Sequence, residues 1–322
     1  MFIAFLSPSI SYAKAGCGPT NWMQCKSNTL YLSSLTIPGT HDSGALWPTC
    51  VGFGAYTVAQ TMSIYNQLKI GVRFLDIRFK AVNNGTRLRI FHGSCSQNIY
   101  GDSSGPIPSG WYSLMGDVLR FLREHPTETV IMSINDESGG NTYTFNQLVA
   151  DLIARSGRSS KWWLNDSIPK VGQVRGKIVL VRRFKKNVLN IGGMDASVGW
   201  PGNKTGSFRN FVVEDHYHGN TLTPSRKRDE VMKQLAVARG VLGGSKIYPM
   251  YLTFTSANNL FVFGSPTCNF FSLFSYCDIG NFSSVVNPKL ETFFSTHYGP
   301  YGAVIMDRVT PNLVWKVLRS NF

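Results

Sequence analysis

Charge is scarce in this chain, and negative charge is scarcest: 16% of its 322 residues are Asp, Glu, Lys or Arg, with 18 acids against 32 bases. The excess of fourteen positive charges predicts a surface that attracts anions, so nucleic acid, anionic lipid and phosphorylated substrates are the candidate partners, with plain solubility as the bland alternative. The basic residues are dispersed apart from Arg182 to Lys186 and Arg226 to Arg228, and there is no basic tail or recognisable nucleic-acid module. No Pro- or Ser-rich linker divides the chain, which argues for one domain. No apolar run approaches the ~20 residues a membrane-spanning helix requires. The six cysteines contain no Cys-x-x-Cys pair, which argues against structural zinc.

An even number of cysteines, Cys17, Cys25, Cys50, Cys95, Cys268 and Cys277, reads instead as disulfide staples, with connectivity left open. Four glycosylation sequons begin at Asn84, Asn165, Asn203 and Asn281, and the opening MFIAFLSPSISYAKA has an apolar start and an Ala-x-Ala-like end without a basic n-region. Together they predict a secreted, extracellular glycoprotein in which residues 1–29 are an N-terminal segment with a signal-peptide remnant. The competing reading is a frayed N-terminus and six reduced cysteines.

Eight short runs rich in β-branched residues read as strands: SLTIPG, VRFLDIRF, RLRIFHG, TVIMSIND, KIVLVRR, FVVEDHY, MYLTFTS and AVIMDRV. Helical patterns interleave with them at GWYSLMGDVLRFLREH, TFNQLVADLIARSG, SRKRDEVMKQLAVARG, NPKLETFFSTHYG and TPNLVWKVLRSNF. The alternation predicts an α/β fold, a single-domain distorted (β/α)8 TIM-type barrel. The link between DIRFK and RLRIFHG is too short for a helix, so a hairpin around Asn83-Asn84-Gly85 is expected there.

On that frame the polar residues His41, Asp76 with Arg78, His92, Asn135 with Glu137, Arg183, Asp215 with Tyr217, Ser256 and Asp307 all fall at or just past the C-terminal ends of strands. That end of such a barrel is where active sites are built. Singly, each has a structural explanation, because polar residues often end strands. Two histidines, an arginine and several aspartates without a cysteine cluster are suited to phosphodiester chemistry. One neutral imidazole deprotonates a neighbouring hydroxyl, the second protonates the departing alcohol, and a guanidinium offsets charge on the non-bridging oxygens.

TIPGTHDSG, GVRFLDIR, RIFHG, ETVIMSIND, RGKIVLVRR, VVEDHY and VIMDRV, in this order, resemble the bacterial-type phosphatidylinositol-specific phospholipases C of the X-domain, metal-independent type. The resemblance runs from about Leu30 to the C-terminus, so residues 30–322 are the expected catalytic barrel. It implies attack by the inositol 2-hydroxyl of phosphatidylinositol, giving diacylglycerol and inositol 1,2-cyclic phosphate, with glycosylphosphatidylinositol anchors as a second substrate class. It also implies a peripheral enzyme at a phosphatidylinositol-containing membrane surface, monomeric, recognising the inositol headgroup, without nucleic acid and without a cofactor. Carried across by motif, His41 is the general base supported by Asp307, and His92 the general acid paired with Asp42. Arg78 grips the phosphate, contacted by Asp42 and held by Asp76. Glu137, Arg183 and Asp215 bind inositol hydroxyls, and Tyr217 is the ring on which inositol packs. Arg183 is preferred to Arg182, since the two alternate across a strand.

Two departures stand out. Ile134-Asn135-Asp136-Glu137 lacks the lysine that the bacterial pattern places before the acid of the fourth strand, and the cysteines and the aromatic stretch from Asn258 to Cys277 are not features of that pattern. Arg78 stands where calcium-dependent relatives use carboxylates, and a guanidinium repels calcium, so no metal is expected. The aromatic stretch (Phe261, Phe263, Phe270, Phe271, Phe274, Tyr276), closed by a Cys268 to Cys277 staple, and Trp47, Phe53 and Tyr56 are candidate lipid contacts; core packing of a loop is the alternative. Gly101-Asp102-Ser103-Ser104-Gly105 matches a nucleophile elbow in letters only, because no buried strand precedes it. Competing functions are a glycerophosphodiester- or sphingomyelin-type phosphodiesterase, which would need a carboxylate metal cluster, a non-catalytic phosphoinositide binder, which need not keep both histidines, and a ribonuclease-like activity.

Overall fold

The computed structural model describes residues 16–50, 57–97, 111–140, 142–186, 189–219, 221–243, 246–258, 269–271 and 274–322. The leading 1–15 segment, Phe53, Tyr56, the Gly101–Gly105 motif, Phe261, Phe263 and Cys268 therefore lie outside the described residues. Each predicted strand forms: β1 (Thr36–Thr40), β2 (Phe74–Val82), β3 (Arg87–His92), β4 (Val130–Asp136), β5 (Ile178–Arg182), β6 (Phe211–Glu214), β7 (Met250–Phe254) and β8 (Gly302–Met306). Seven of them run parallel in the spatial order β5, β4, β2, β1, β8, β7, β6. The strand Thr205–Phe208 adds antiparallel to β6, while the two-residue strands Trp162–Trp163 and Met194–Asp195 add to β5. No described strand joins these two edges, so the sheet is a barrel left open on one side.

β3 corrects the simple eight-strand count. It pairs antiparallel with β2, from Phe79 opposite Ile90 to Val82 opposite Arg87, and stays outside the barrel path. The expected hairpin turn supplies the reason: Asn83, Asn84 and Gly85 all have positive φ (52°, 53°, 79°), the backbone that lets a short link reverse direction. His92 is thereby returned to the barrel mouth from a hairpin.

Two apolar layers hold the sheet. Ile37, Phe74, Ile131, Val181, Leu252 and Ile305 fill the barrel interior, whereas Leu75, Ile77, Met132 and Val304 pack outward on the helices, as the two-residue strand period requires. β1 lies centrally although it carries Pro38, because its pairing with β2 begins only at Gly39 and no ladder donor is lost there. The helices Trp111–Glu124, Tyr143–Arg155, Pro224–Val241 and Pro311–Arg319 fall where their periodicity placed them. The fifth does not begin at Asn287. It spans Ile279–Phe294 with Pro288 inside it, started by the Asp278 carboxylate, which accepts from the Asn281 amide.

Beneath the barrel, a 3-10 segment Pro19–Cys25 is tied down by a buried ion pair. Arg73 Nη2 and Nε lie 2.7 and 3.0 Å from Glu128 Oε2, and both side chains are fully buried. Glu128 also accepts from the amides of Met23 and Gln24, and Arg73 donates to the Thr20 carbonyl. Disulfides join Cys17 to Cys25 and Cys50 to Cys95, and Cys277 is also disulfide-bonded. At the far end of β1, the Asn321 side chain bonds both the Thr36 amide and the Thr36 carbonyl, so the chain's last turn fastens the start of its first strand.

Candidate active site

The side chains converge where the strands end. The β1 strand stops at Thr40, and Asp42 turns the chain with φ of 39°, a conformation that Asp adopts more readily than most residues. The bend sends His41 and Asp42 to different partners. His41 Nδ1 lies 2.8 Å from Asp307 Oδ1, just past β8, and its Nε2 is 2.8 Å from Arg78 Nη2. A guanidinium only donates, so Nε2 is the acceptor and the imidazole proton sits on Nδ1, facing Asp307. Buried Gln60 fixes the register by donating to the carbonyls of His41 and Met306, 2.8 Å each.

His92 faces His41 across the mouth, with ring centroids 5.9 Å apart and planes at 85°. Its Nδ1 lies 3.0 Å from the Thr57 carbonyl, a partner that sequence reasoning missed, whereas the expected partner Asp42 stands at 3.6 Å. The carbonyl can only accept, so Nδ1 carries the proton and Nε2 is the nitrogen left for the cavity. Burial, with the nearby Arg78 charge, pushes the His92 pKa below the usual histidine range.

Arg78 is the hub of the charges. Its Nε lies 3.2 Å from Asp76 Oδ2 and 3.7 Å from Asp42 Oδ2, and its Nη1 is 3.7 Å from Glu137 Oε1. Burial disfavours the cation, but these carboxylates outweigh it and hold the guanidinium charged. Asp76 is likewise buried, yet Arg78 and Arg183 overcome the desolvation and hold its carboxyl down to about 2. Asp42 is the opposite case. It is 0% exposed, neither carboxylate oxygen has a hydrogen-bond partner among the described residues, and burial pushes its pKa up to about 8 despite Arg78.

This difference between two aspartates gives a stability prediction. The unfolded chain ionises Asp42 near pH 4, whereas the fold keeps its proton until about pH 8, so this group's contribution to stability falls as pH rises through that window. Asp42→Asn, which has no proton to lose, is expected to raise the free energy of urea unfolding by up to about 5 kcal/mol at pH 8 and by little at pH 4. An equal change at both pH values would show that Asp42 is ionised in the fold.

The remaining predicted residues form the cavity wall. A pocket of about 260 Å³ is lined by His41, Arg78, His92, Asn135, Arg183, Trp200, Gly202, Asp215, Tyr217 and Ser256 to Asn258. That is slightly below the ~300 Å³ lower end for drug-sized ligands, so it suits a headgroup rather than a whole lipid. Arg183 faces inward, with Nη1 3.0 Å from Asp76 Oδ1, while Arg182 turns away to Asp195 at 2.9 Å. Asp215 lines the pocket, while Glu214 before it is buried against Lys227 Nζ at 3.0 Å. Tyr217 stands 45% exposed at the rim. Glu137 is outside the lining set; its Oε1 accepts from the Gly93 amide at 2.8 Å, and Asn135 takes the wall position beside it. Trp200 and Asn258 were not foreseen. Each lies in an irregular segment where neither strand period nor strand end marks a position.

Among the described residues, no cluster of three or more His, Cys, Asp or Glu side chains could hold a metal ion. What the geometry supplies is one imidazole backed by a carboxylate, a second imidazole opposite it, and two guanidinium groups between, an arrangement for proton transfer around a phosphoryl group.

The chain is similar to known proteins in both sequence and fold. A family model described as PI-PLC X 1 matches residues 27–153. The 1-phosphatidylinositol phosphodiesterase of Listeria monocytogenes is 31% identical over 252 residues, covering 73% of this chain and 69% of that protein. The Staphylococcus aureus (strain Newman) protein of the same name is 26% identical over 257 residues, covering 76% and 78%. In structure, the phosphatidylinositol-specific phospholipase C of Listeria monocytogenes superposes with a TM-score of 0.70 over 95% of this chain and 99% of that one, at 23% identity. A mutant of the Staphylococcus aureus phospholipase C reaches 0.74 over 95% and 98%, at 22% identity.

Proposed function

The chain belongs to the phosphatidylinositol-specific phospholipase C family, and from that premise we propose how its own residues cleave phosphatidylinositol to diacylglycerol and inositol 1,2-cyclic phosphate. The observation that carries the proposal is the bonded chain Asp307, His41, Arg78 facing His92 across a headgroup-sized cavity. In the resting site Arg78 occupies His41 Nε2, so that nitrogen is not yet free to act as a base. A substrate phosphate accepts from the guanidinium and draws it off. His41 Nε2 then takes the proton of the inositol 2-hydroxyl, the oxygen attacks phosphorus, and the bond to the glycerol oxygen breaks. Asp307 steadies the imidazolium that forms. Holding hydroxyl and phosphate in one molecule supplies much of the acceleration.

His92 protonates the departing glycerol oxygen. Its pKa is lowered in the resting site by burial and by Arg78, and the negative charge of the bound phosphate raises it again, so Nε2 takes up a proton from solvent for the glycerol oxygen while Nδ1 keeps its own toward the Thr57 carbonyl. Arg183 and Asp215 bind inositol hydroxyls, Tyr217 receives the ring face, and Glu137 acts at the edge by holding Gly93 and Arg78. Because a guanidinium stands beside both Asp42 and Asp76, a divalent cation there would be repelled, so the reaction runs without metal.

The membrane is met mouth first. Trp47, Val198 and Tyr217, 47%, 62% and 45% exposed, sit on the loops around the cavity, and the net positive charge favours anionic lipid. The disulfides fit an oxidising, extracellular setting, and the site is complete within one chain, so a monomer is the working unit. Glycosylphosphatidylinositol anchors carry the same headgroup and are the second substrate.

The deciding experiment is phosphorus NMR on phosphatidylinositol micelles in excess chelator. A cyclic inositol phosphate resonance is expected at an undiminished rate. A signal that grows only after calcium is added would overturn the role given to Arg78.

A further inference from the structure

Trp200 occupies an unusual position in the pocket wall. Its indole Nε1 donates to Asp215 Oδ2 at 2.8 Å, and its ring lies under the Arg183 guanidinium, whose central carbon is 3.8 Å from the ring centroid. Phe254 braces the indole edge on, with centroids 5.7 Å apart, and Phe208 packs at 6.0 Å. Arg183 and Asp215 each lie one residue past strands on opposite sides of the open barrel, β5 and β6, which share no hydrogen bonds among the described residues. One side chain therefore links the two charged groups across the opening, one through its N–H and the other through its face.

We propose that Trp200 is a positioning residue for headgroup recognition: it presets Arg183 and Asp215 at the spacing that two inositol hydroxyls require. The proposal rests on the reading of Arg183 and Asp215 as inositol ligands. Its physical basis is that a carboxylate left with one acceptor site satisfied is oriented, and a guanidinium stacked on an indole keeps its N–H edge free for hydroxyls. Headgroup binding then occurs without ordering two long side chains, which is the usual cost of such contacts. Trp200 touches neither histidine in the structure's ring contacts and takes no part in the proton transfers.

The test is a kinetic comparison of Trp200→Phe, Trp200→Leu, Arg183→Ala and Asp215→Asn, with free myo-inositol as competitive probe. Trp200→Phe keeps a ring under Arg183 and removes only the N–H, so KM and the inositol inhibition constant should each rise about tenfold while kcat stays within about threefold. Trp200→Leu loses both contacts and should weaken inositol about 50-fold. Adding Trp200→Phe to Asp215→Asn should weaken inositol little further, the mark of two residues acting through one contact. An unchanged inhibition constant in the folded Trp200 variants, with Arg183→Ala and Asp215→Asn impaired, overturns the positioning role alone. Unchanged constants in those two ligand variants overturn the ligand assignment itself and the role of Trp200 with it. A fall in kcat at constant KM, with lowered Tm, would assign Trp200 to structural support and equally overturn the proposal.

Discussion

His41→Ala lowers kcat on phosphatidylinositol by about 10⁴-fold, and His92→Ala does the same, but only the second loss is repaired by a better leaving group. The two residues are symmetric in a simple activity assay because each removes one proton transfer. They separate when glycerol is replaced by a phenol whose conjugate base departs without help. Such an inositol phosphate ester should bring His92→Ala to within about tenfold of the unsubstituted enzyme and leave His41→Ala as slow as before. The direction follows from the roles proposed for the two histidines. His41 Nδ1 is committed to Asp307, leaving Nε2 as a base once Arg78 moves, whereas His92 Nδ1 donates to the Thr57 carbonyl beside a carboxyl that holds its proton until about pH 8. Rescue of His41→Ala in place of His92→Ala would reverse the two roles.

Glu128→Ala costs about 3–5 kcal/mol of folding free energy while leaving the catalytic geometry untouched in the molecules that remain folded. Arg73 is fully buried, and burial already works to lower its pKa against the support of Glu128. Removing the carboxylate strands a cation beneath the barrel and releases the amides of Met23 and Gln24, so both the ion pair and the anchor of the N-terminal segment are lost. Urea unfolding followed by circular dichroism measures the effect directly. Converting the pair together, Arg73→Met with Glu128→Leu, should restore part of the loss because no uncompensated charge remains. A loss below 1 kcal/mol for Glu128→Ala would mean that water reaches this pair.

The site was readable in the sequence to the extent that its residues stand at strand ends. His41, Asp215 and Asp307 follow runs whose β-branched composition and two-residue period mark where each strand stops, and the parallel barrel brings such ends together; Asp76 and Arg78, expected at a strand end, instead lie inside β2, because that strand continues past the barrel to pair with β3. His92 was found by its position before a glycine, but its hydrogen-bond partner was not, because the Thr57 carbonyl belongs to a backbone whose side chain carries no signal. Trp200 escaped for a related reason: it enters the pocket from a loop between short irregular strands, where no period relates position to facing. The helix started by Asp278 was placed too late because Pro288 reads as an N-terminal residue. A proline ten residues in was accommodated by the helix already begun at Ile279.

The seam between β1 and β8 also sets a schedule. β1 is flanked by β2, close to it in sequence, and by β8, whose register with it runs from Thr36 opposite Gly302 to Thr40 opposite Met306. Asn321, 285 positions after Thr36, then locks the strand's first residue. A chain made from its amino end therefore exposes one open side of β1, and the half-built wall holding His41, throughout nearly all of its synthesis. The contact between Asp307 and His41, 2.8 Å in the folded protein, joins residues 266 positions apart and so cannot form until β8 has been made. On the roles proposed for these residues, a nascent polypeptide stalled short of β8 would carry His41 without the carboxylate that orients it, so truncation before β8 is expected to lower lipid cleavage sharply in a turnover assay.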